Sequence, residues 1–427
     1  MNYIYSLIII VILFLIFKVY IKVKYKFWAY QPVFHYYNLY YWIKPKGIID
    51  TELPKTNKYC NFYNVCTKEF SECDKNTLNE IITFIRTSYY RNKNANYLPT
   101  ESSFSSYFIG NNTKTFISTY YRSITIDTSQ DISTNMSFIT NKELLGVMTG
   151  RPVNITLKNQ ETFRAHYIDY LCVHNEHRKK GIAPEIIQTH EYNQRHRNKK
   201  IGVSLFKREG ELTGIVALTT YNTYQFDINM IPRGLLPHVA IQLIEINKLN
   251  IRLLTTFIQS QKTKFECFVL PDLTNLLNLV TSNTYKIYGL REKDKLIAVY
   301  FFRNSYMSYD LRSEKEKENN EDREKETKKN SKNSKKSKKE ICSIECFASI
   351  NDTIHEIFIA GFSLALYKYS KMIKAKLITI ENIGNNNIII NHIFLLNIIP
   401  RIVSPTAYFY YNYAKRPILP EKAMIIC

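Results

Sequence analysis

No two of the eight cysteines form a C-x-x-C pair. Cys60, Cys66, Cys73, Cys172, Cys267, Cys342, Cys346 and Cys427 are scattered through the chain. Their spacings suit neither a zinc site nor a thioredoxin-type redox pair. Core thiols in a reducing compartment are expected, and no metal. The sequence also has no zinc finger, helix-turn-helix or aromatic-basic platform. The net charge of +21 therefore does not make nucleic acid an expected partner, and part of the lysine excess accompanies a general richness in Lys, Asn, Ile and Tyr. The N-terminus lacks the basic start and small-x-small cleavage site of a secretory signal.

It does have an apolar run, YIYSLIIIVILFLIF (Tyr3–Phe17), which reaches Tyr20 if Lys18 snorkels. No charged side chain precedes the run, whereas Lys18, Lys22, Lys24 and Lys26 follow it. The positive-inside rule then predicts a single-pass anchor over residues 1–23, with the body of the protein in the cytosol. At 427 residues and 45% hydrophobic content, that body is one large domain or two ordinary ones with ample core.

From residue 75 onward, helical and strand patterns alternate. TLNEIITFIRTSYY reads as an amphipathic helix with Leu78, Ile81, Ile82 and Ile85 on one face. KELLGVMTGRPVNITL reads as a hairpin turning near Gly150–Pro152. TFRAHYIDYLCVH and IGVSLFKR read as strands, with APEIIQTHEYNQRHRNKK as a helix between them. Arg312–Glu340 contains no apolar residue, so residues 312–341 are expected to be a disordered, charged insertion at a hairpin tip. A helix and two strands follow, repeating the rhythm of the first half. The fold class is α/β (α+β).

The chemistry concentrates in YLCVHNEHRKKGIAPEII, Tyr170–Ile187: strand, short basic loop, helix. Arg178-x-x-Gly181-x-Ala183 gives a helix start small enough for phosphates to approach the backbone, with added positive charge. This is the R-x-x-G-x-A pattern of the GNAT acyl-CoA transferases. The block also resembles the signature of the myristoyl-CoA:protein N-myristoyltransferases, a Phe-Leu-Cys-Val-His strand leading into Arg-Ser-Lys-Arg-Leu-Ala-Pro. Leu171, Cys172, Val173, His174, Arg178, Lys180, Ala183 and Pro184 match; Tyr170, Lys179 and Gly181 depart. Upstream, ELLGVMTGRPVNITL is similar to the family's LVGFISAIPANI. The family's opening Y-x-F-W-x-x-Q-P-V stands here as Tyr25, Phe27, Trp28, Gln31, Pro32 and Val33. The resemblance covers residues 25–35 and 143–221, with YFYYNYA near the end similar to the family's penultimate strand.

The resemblance implies two GNAT-like halves in one saddle-shaped sheet, residues 24–215 holding acyl-CoA and 216–427 completing a peptide groove. Lys26, Phe27 and Trp28 would hold CoA. Tyr170, Leu171, Cys172 and Val173 would pair with pantetheine, and Lys179, Gly181, Ile182 and Ala183 would surround the phosphates. The backbone N–H groups of Tyr170 and Leu171 would form the oxyanion hole. The terminal carboxylate, here on Cys427, would be the base. No prosthetic group is implied; myristoyl-CoA is a co-substrate and an N-terminal-glycine protein the acceptor. The ending EKAMIIC is one residue short of the family pattern. The family's acidic run after the first helix corresponds to Arg91–Ala95, and its Arg-Tyr-Trp-His segment to Thr220–Thr223. Two alternatives stay open: a GNAT transferase using another acyl-CoA or amine, and a catalytically silent acyl-CoA-fold membrane scaffold. His174 is expected to be structural, His190 and His196 to lie on a solvated helix face, and Cys172 to be a buried strand thiol.

Overall fold

The computed structural model describes residues 2–90, 95–126, 139–210, 214–237, 240–310 and 340–427. Residues 312–339 of the insertion expected over 312–341, and the Arg91–Asn94 part of the charge-reversed segment, lie outside the described residues, while Glu340 and Ile341 open a strand.

The chain opens with α1 (Asn2–Lys24), whose stretch Tyr3–Lys24 is long and apolar enough to cross a membrane. Nearly all of its side chains are exposed. The segment after it is docked at several points. Tyr25 lies over Gly214, where a Cβ would come within 2.3 Å of the ring. Tyr411 donates its hydroxyl to Gln31 Oε1 (2.7 Å), the Asn412 N–H bonds the Pro32 carbonyl (2.7 Å), and the Val216 N–H bonds that of Phe34 (2.8 Å). The Phe-Trp and Gln-Pro residues thus serve as a clasp between chain regions almost 400 residues apart in sequence.

Next come α2 (Leu39–Ile43), β1 (Gly47–Ile48), β2 (Val65–Glu69), α3 (Lys75–Ser88), β3 (Ala95–Tyr97) and α4 (Glu101–Ser106). In α3, Leu78, Ile81, Ile82 and Ile85 are buried as their spacing predicts, and Asp74 caps the start by accepting the Thr77 N–H. The first-half sheet is β4 (Phe116–Ile126), β5 (Ile139–Leu157), β6 (Phe163–Val173) and, after α5 (Ile182–Arg197), β7 (Ser204–Glu209).

The expected hairpin at Gly150–Pro152 is instead the middle of one 19-residue strand, β5. Along one edge β5 pairs with β4 as far as Gly150 and with β10 (Cys267–Leu270) from Asn154, so Pro152 falls in the gap between two neighbours, where its missing N–H breaks no ladder. Gly150 lies under α5: a Cβ there would meet Gln194 Oε1 and His190 Nε2 at 2.8 Å.

The second half contributes β8 (Thr219–Asp227), β9 (Ile241–Ile246), α6 (Ile251–Gln261), α7 (Leu273–Thr281), β11 (Tyr285–Glu292), β12 (Lys295–Asp310) and β13 (Glu340–Asn351). It ends with α8 (His355–Ile373), β14 (Leu377–Glu381), α9 (Asn386–Leu395), β15 (Ile402–Tyr411), β16 (Tyr413–Ala414) and β17 (Ala423–Ile425). A mixed sheet runs β17-β10-β5-β6-β7-β15-β8-β14-β13-β12-β11-β9, so the two halves share one sheet through β7–β15 and β5–β10. β12 and β13 pair antiparallel as far as Asp310↔Glu340. Helices α3, α6 and α7 supply Ile81, Leu254 and Leu276 to one core with Phe268, Phe301 and Met424. Helices α8 and α9 supply a second, with Phe302 and Phe358.

Candidate active site

The parallel pairing of β6 with β7 lasts only three residues: His166↔Ser204, Tyr167↔Leu205 and Ile168↔Phe206. β7 continues on β15 to Glu209, while β6 continues on β5 alone to Val173. Residues 169–173 therefore face an opening wedge, an edge that an extended group can join by main-chain hydrogen bonds. A bulge lies in this edge. Val147 pairs with Cys172 and Thr149 with Asp169, so Tyr170 and Leu171 together oppose Met148, with Tyr170 at φ 52°. Leu171 is the exposed residue of the segment (39%); Tyr170, Cys172 and Val173 are buried. The Tyr170 ring packs on Tyr89 and Phe104, and its hydroxyl lies 3.3 Å from that of Tyr97. Burial pushes the Cys172 thiol up to about 12, as befits a structural thiol.

The basic loop closes the far end of this edge. Lys179 (φ 64°) and Gly181 (φ 88°) both take the left-handed conformation just before α5. Gly181 is the N-cap, has no side-chain cap bond, and has nothing within 4 Å of where a Cβ would stand. The N–H groups at the start of a 16-residue helix thus face open space flanked by exposed Lys179 and Lys180. Arg178 has a different position from its motif neighbours. Its Nε donates to the Val173 carbonyl (3.2 Å) and its Nη2 to that of Ser88 (2.6 Å), so it ties the loop to β6 and α3.

Phe27 packs edge-on against Trp28 and Tyr59 (both 5.1 Å), and Lys26 is exposed beside them. Trp28 stacks on Phe206 (5.7 Å, 10° between planes), the last β7 residue paired to β6, and Phe206 stacks on Phe409. The N-terminal aromatic pair therefore sits where the wedge begins to open.

The chain end comes in from the opposite half. β17 runs parallel to β10, and the Ile426 N–H bonds the Val269 carbonyl (2.9 Å). This leaves Cys427 4% exposed. Arg303 Nη1 donates to the Cys427 terminal oxygen at 3.1 Å, while its other nitrogens hold Glu345 in a two-point pair (2.7 and 2.9 Å). Burial pushes the Cys427 thiol up to about 12. Next to this end, Glu381 accepts from Lys207 (3.2 Å) and from the Tyr221 hydroxyl, and burial raises its carboxyl above the usual range.

Two charged residues of this site carry no assignment from sequence. Asp169 immediately precedes the bulge, is half-buried, and accepts the Tyr170 N–H through Oδ1 (2.8 Å). Arg151 is 2% exposed on β5, between the rings of Tyr107 and Tyr167 (4.8 and 4.9 Å). Its Nη1 and Nη2 find no hydrogen-bond partner among the described residues, and both Asp169 and the Cys427 end lie within its electrostatic reach. The available signal was a lone charge in each of two apolar strands, GRPV and IDYL.

The histidine expectations divide. His174 follows β6, with its main-chain N–H bonding the Leu145 carbonyl, its ring near Phe84 and its Nδ1 buried without a hydrogen-bond partner among the described residues. With Glu176 and His177 it brings potential ligand atoms within 4.8 Å of one another, but on an exposed turn with three donors, and we assign no metal there. His190 is not on a solvated face. It is fully buried, bonded to Ser118 Oγ (2.8 Å) and Gln194 Oε1 (3.2 Å), and burial lowers it to about 4. Buried Gln188, Thr189, Glu191, Gln194 and Arg195 make this a polar helix face turned to the sheet.

Residues 60–218 match the family model for the N-terminal domain of myristoyl-CoA:protein N-myristoyltransferase. Over that stretch the chain is similar to the N-myristoyltransferase family. A structure of Saccharomyces cerevisiae N-myristoyltransferase with bound myristoyl-CoA superposes with a TM-score of 0.63 at 13% identity, covering 94% of this chain and 99% of that one. A second structure of the yeast enzyme with bound myristoyl-CoA gives 0.66 at 13% identity, over 95% of each. Comparison with curated protein sequences returns no match. At this identity the structural likeness is one of fold, and it spans both halves. The matched N-terminal domain and the shared fold support an acyltransferase.

Proposed function

We propose that the protein is a membrane-tethered acyltransferase that moves a myristoyl group from myristoyl-CoA to the N-terminal glycine amine of a protein. The observation that carries this reading is the β6–β7 wedge, bulged at Tyr170–Leu171 and ending in an uncapped, left-handed helix start. Pantetheine lies along Tyr170–Val173, and the phosphates meet Lys179, Gly181, Ile182 and Ala183. Lys26, Phe27 and Trp28 cover the CoA. The thioester oxygen is assigned to the N–H groups of Tyr170 and Leu171, the first of which already serves Asp169. Cys427 brings the terminal carboxylate to the acceptor end. The acyl-CoA half spans 24–215 and the second half 216–427.

α1 is assigned as the anchor, with the catalytic body cytosolic. Lys18 lies 5.7 Å over the Tyr37 ring, and exposed Tyr36, Leu39, Tyr40 and Ile43 would meet the lipid headgroups beside it. With Arg91–Ala95 in place of an acidic run, the groove is suited to acceptors carrying Asp or Glu near the glycine.

A silent acyl-CoA-binding scaffold is the second reading, favoured by one feature. Thr220–Thr223 is built into β8, with Tyr221 bonded to Glu381 and Thr223 to Thr406 (2.8 Å). Native mass spectrometry of the purified protein, before and after adding myristoyl-CoA and a glycine-starting peptide, tests both readings. The transferase reading expects bound acyl-CoA that turns to bound CoA when peptide is added. The scaffold reading expects acyl-CoA that persists.

A further inference from the structure

We propose that the outer edge of β9, beside α8, binds an extended acidic segment of a partner protein by strand addition. β9 ends the sheet path and pairs with β11 alone, without a register shift, from Ile241↔Glu292 to Ile246↔Ile287. The Glu245 carbonyl accepts from Asn250 Nδ2 (2.8 Å), so it points away from β11. Antiparallel ladders alternate in direction, so the Leu243 N–H and carbonyl, two residues back, face the same open side. Among the described residues, no group outside the sheet bonds the Leu243 main chain. An open edge is normally blunted by a lysine, a proline or a bulge on the strand itself. β9 reads Ile-Gln-Leu-Ile-Glu-Ile and has none of these. Its single charge, Glu245, is paired with Lys286 (2.6 Å).

A cavity of about 480 Å³ lies between Leu243 and α8. Its apolar lining is Leu243 with Leu364, Tyr367 and Met372 of α8. Its charged lining is Arg233, Lys368 and Lys371. The five α8 residues follow the i, i+3, i+4, i+7, i+8 spacing of one helix face. That face is distinct from the one that buries Phe358, Phe362, Leu366 and Tyr369 in the core. Tyr367 and Met372 are accordingly exposed (43% and 54%). The segment carrying Arg233 is pressed onto α8. The Gly234 N–H bonds Ser363 Oγ (2.7 Å), and a Cβ at Gly234 would stand 2.7 Å from the Ala360 Cα. Arg233 lies over the Tyr367 ring (4.4 Å) and Lys368 over the Tyr288 ring (5.4 Å). No Asp or Glu lines the cavity, and none of the three cations makes an ion pair among the described residues.

Charge and main-chain chemistry together choose the occupant. A second copy pairing edge to edge would bring the same cations against their like, in a chain of net charge +21. A lipid surface would give the Leu243 N–H and carbonyl no strand to pair with. An extended peptide meets both demands. Its main chain pairs with Leu243, and alternate side chains fall on Leu364, Tyr367 and Met372. Asp or Glu among them meet Arg233, Lys368 and Lys371. β9 is at the opposite end of the sheet path from β5, β6 and β10, so the site is separate from the acyl-CoA wedge.

The test is fluorescence anisotropy with the full-length protein in non-ionic detergent. The probe is a labelled, N-acetylated peptide of alternating valine and glutamate, long enough to span β9. The acetyl group keeps it from serving as an acyl acceptor. We expect saturable binding that fades with salt. It should weaken at least about tenfold in the double variant Lys368→Glu, Lys371→Glu, each exposed pair being worth up to about fivefold. Both lysines are exposed, so the variant should melt at the wild-type temperature. Hydrogen exchange gives a readout that charge alone would not move: the Leu243 amide should slow when peptide binds. A peptide of alternating proline and glutamate keeps the charge but loses alternate N–H groups, and should bind at least about tenfold more weakly. No saturable binding below about 1 mM, or binding that leaves the Leu243 amide unchanged, overturns the proposal. Equal affinity for the two peptides also overturns it. A Leu243 amide that slows with phosphatidylserine vesicles or with rising protein concentration, but not with peptide, overturns it in favour of a lipid surface or a second copy.

Discussion

Nη2 of Arg178 donates to the carbonyl of Ser88 across 2.6 Å, joining the loop after β6 to the last turn of α3. The most conspicuous cation of the motif thus satisfies a helix C-terminus, and the glycine three residues on is left open. The two should respond differently to mutation. Arg178→Ala should lower unfolding free energy by about 1–3 kcal/mol, read from a urea midpoint, because it orphans part-buried carbonyls. Gly181→Asp has open space and a residue type tolerant of positive φ, so it should keep the midpoint within about 1 kcal/mol. Its charge should weaken CoA binding at least about tenfold in calorimetry. Unchanged CoA affinity in folded Gly181→Asp would remove the phosphate assignment.

The motif was legible in the sequence because it is local: a strand, eight loop residues with the required glycine, and a helix. So was α3, whose apolar period survives in the burial pattern. The continuity of β5 was not legible. Gly-Arg-Pro is turn chemistry, and only the change of neighbour from β4 to β10 makes it tolerable within a strand. The buried face of α5 was hidden for a similar reason. Glu191, Gln194 and His190 look solvated until Ser118 and Ser204 arrive from the sheet to bond them.

Stability should pass through a maximum near pH 6.5. Burial lowers His35 and His190 to about 4 and His166 to about 3. Between about pH 4.5 and 6.5 these bind fewer protons folded than unfolded, so stability rises with pH. Burial raises Glu191 to about 7, against the pull of Arg195, and raises Glu381 in the same direction. Those two bind more protons folded, so each lowers stability as pH rises. Three rising contributions outweigh two falling ones up to about 6.5, after which only the carboxyls remain. Melting temperatures between pH 5 and 7.5 should show the peak, and Glu191→Gln should flatten the decline above it. A steady rise through pH 7.5 would contradict this balance.

Removing residues 1–24 should detach the protein from membranes without unfolding it, since α1 is exposed along nearly its whole length. Flotation with vesicles of mixed neutral and anionic lipid should retain the full chain at the top and leave the truncated chain below. The truncated chain should bind myristoyl-CoA as the full chain does, because the Tyr25–Val33 clasp is kept. Vesicle binding equal to that of the full chain would show that α1 is not the anchor.

The central claim is acyl transfer to an N-terminal glycine amine. The most direct measurement is intact-mass and fragmentation analysis of a glycine-starting peptide after incubation with the full-length protein and myristoyl-CoA. The account predicts one myristoyl group, amide-linked to the glycine nitrogen, and none on the same peptide when it is N-acetylated. A protein that binds myristoyl-CoA yet leaves every glycine-starting peptide unmodified would contradict it.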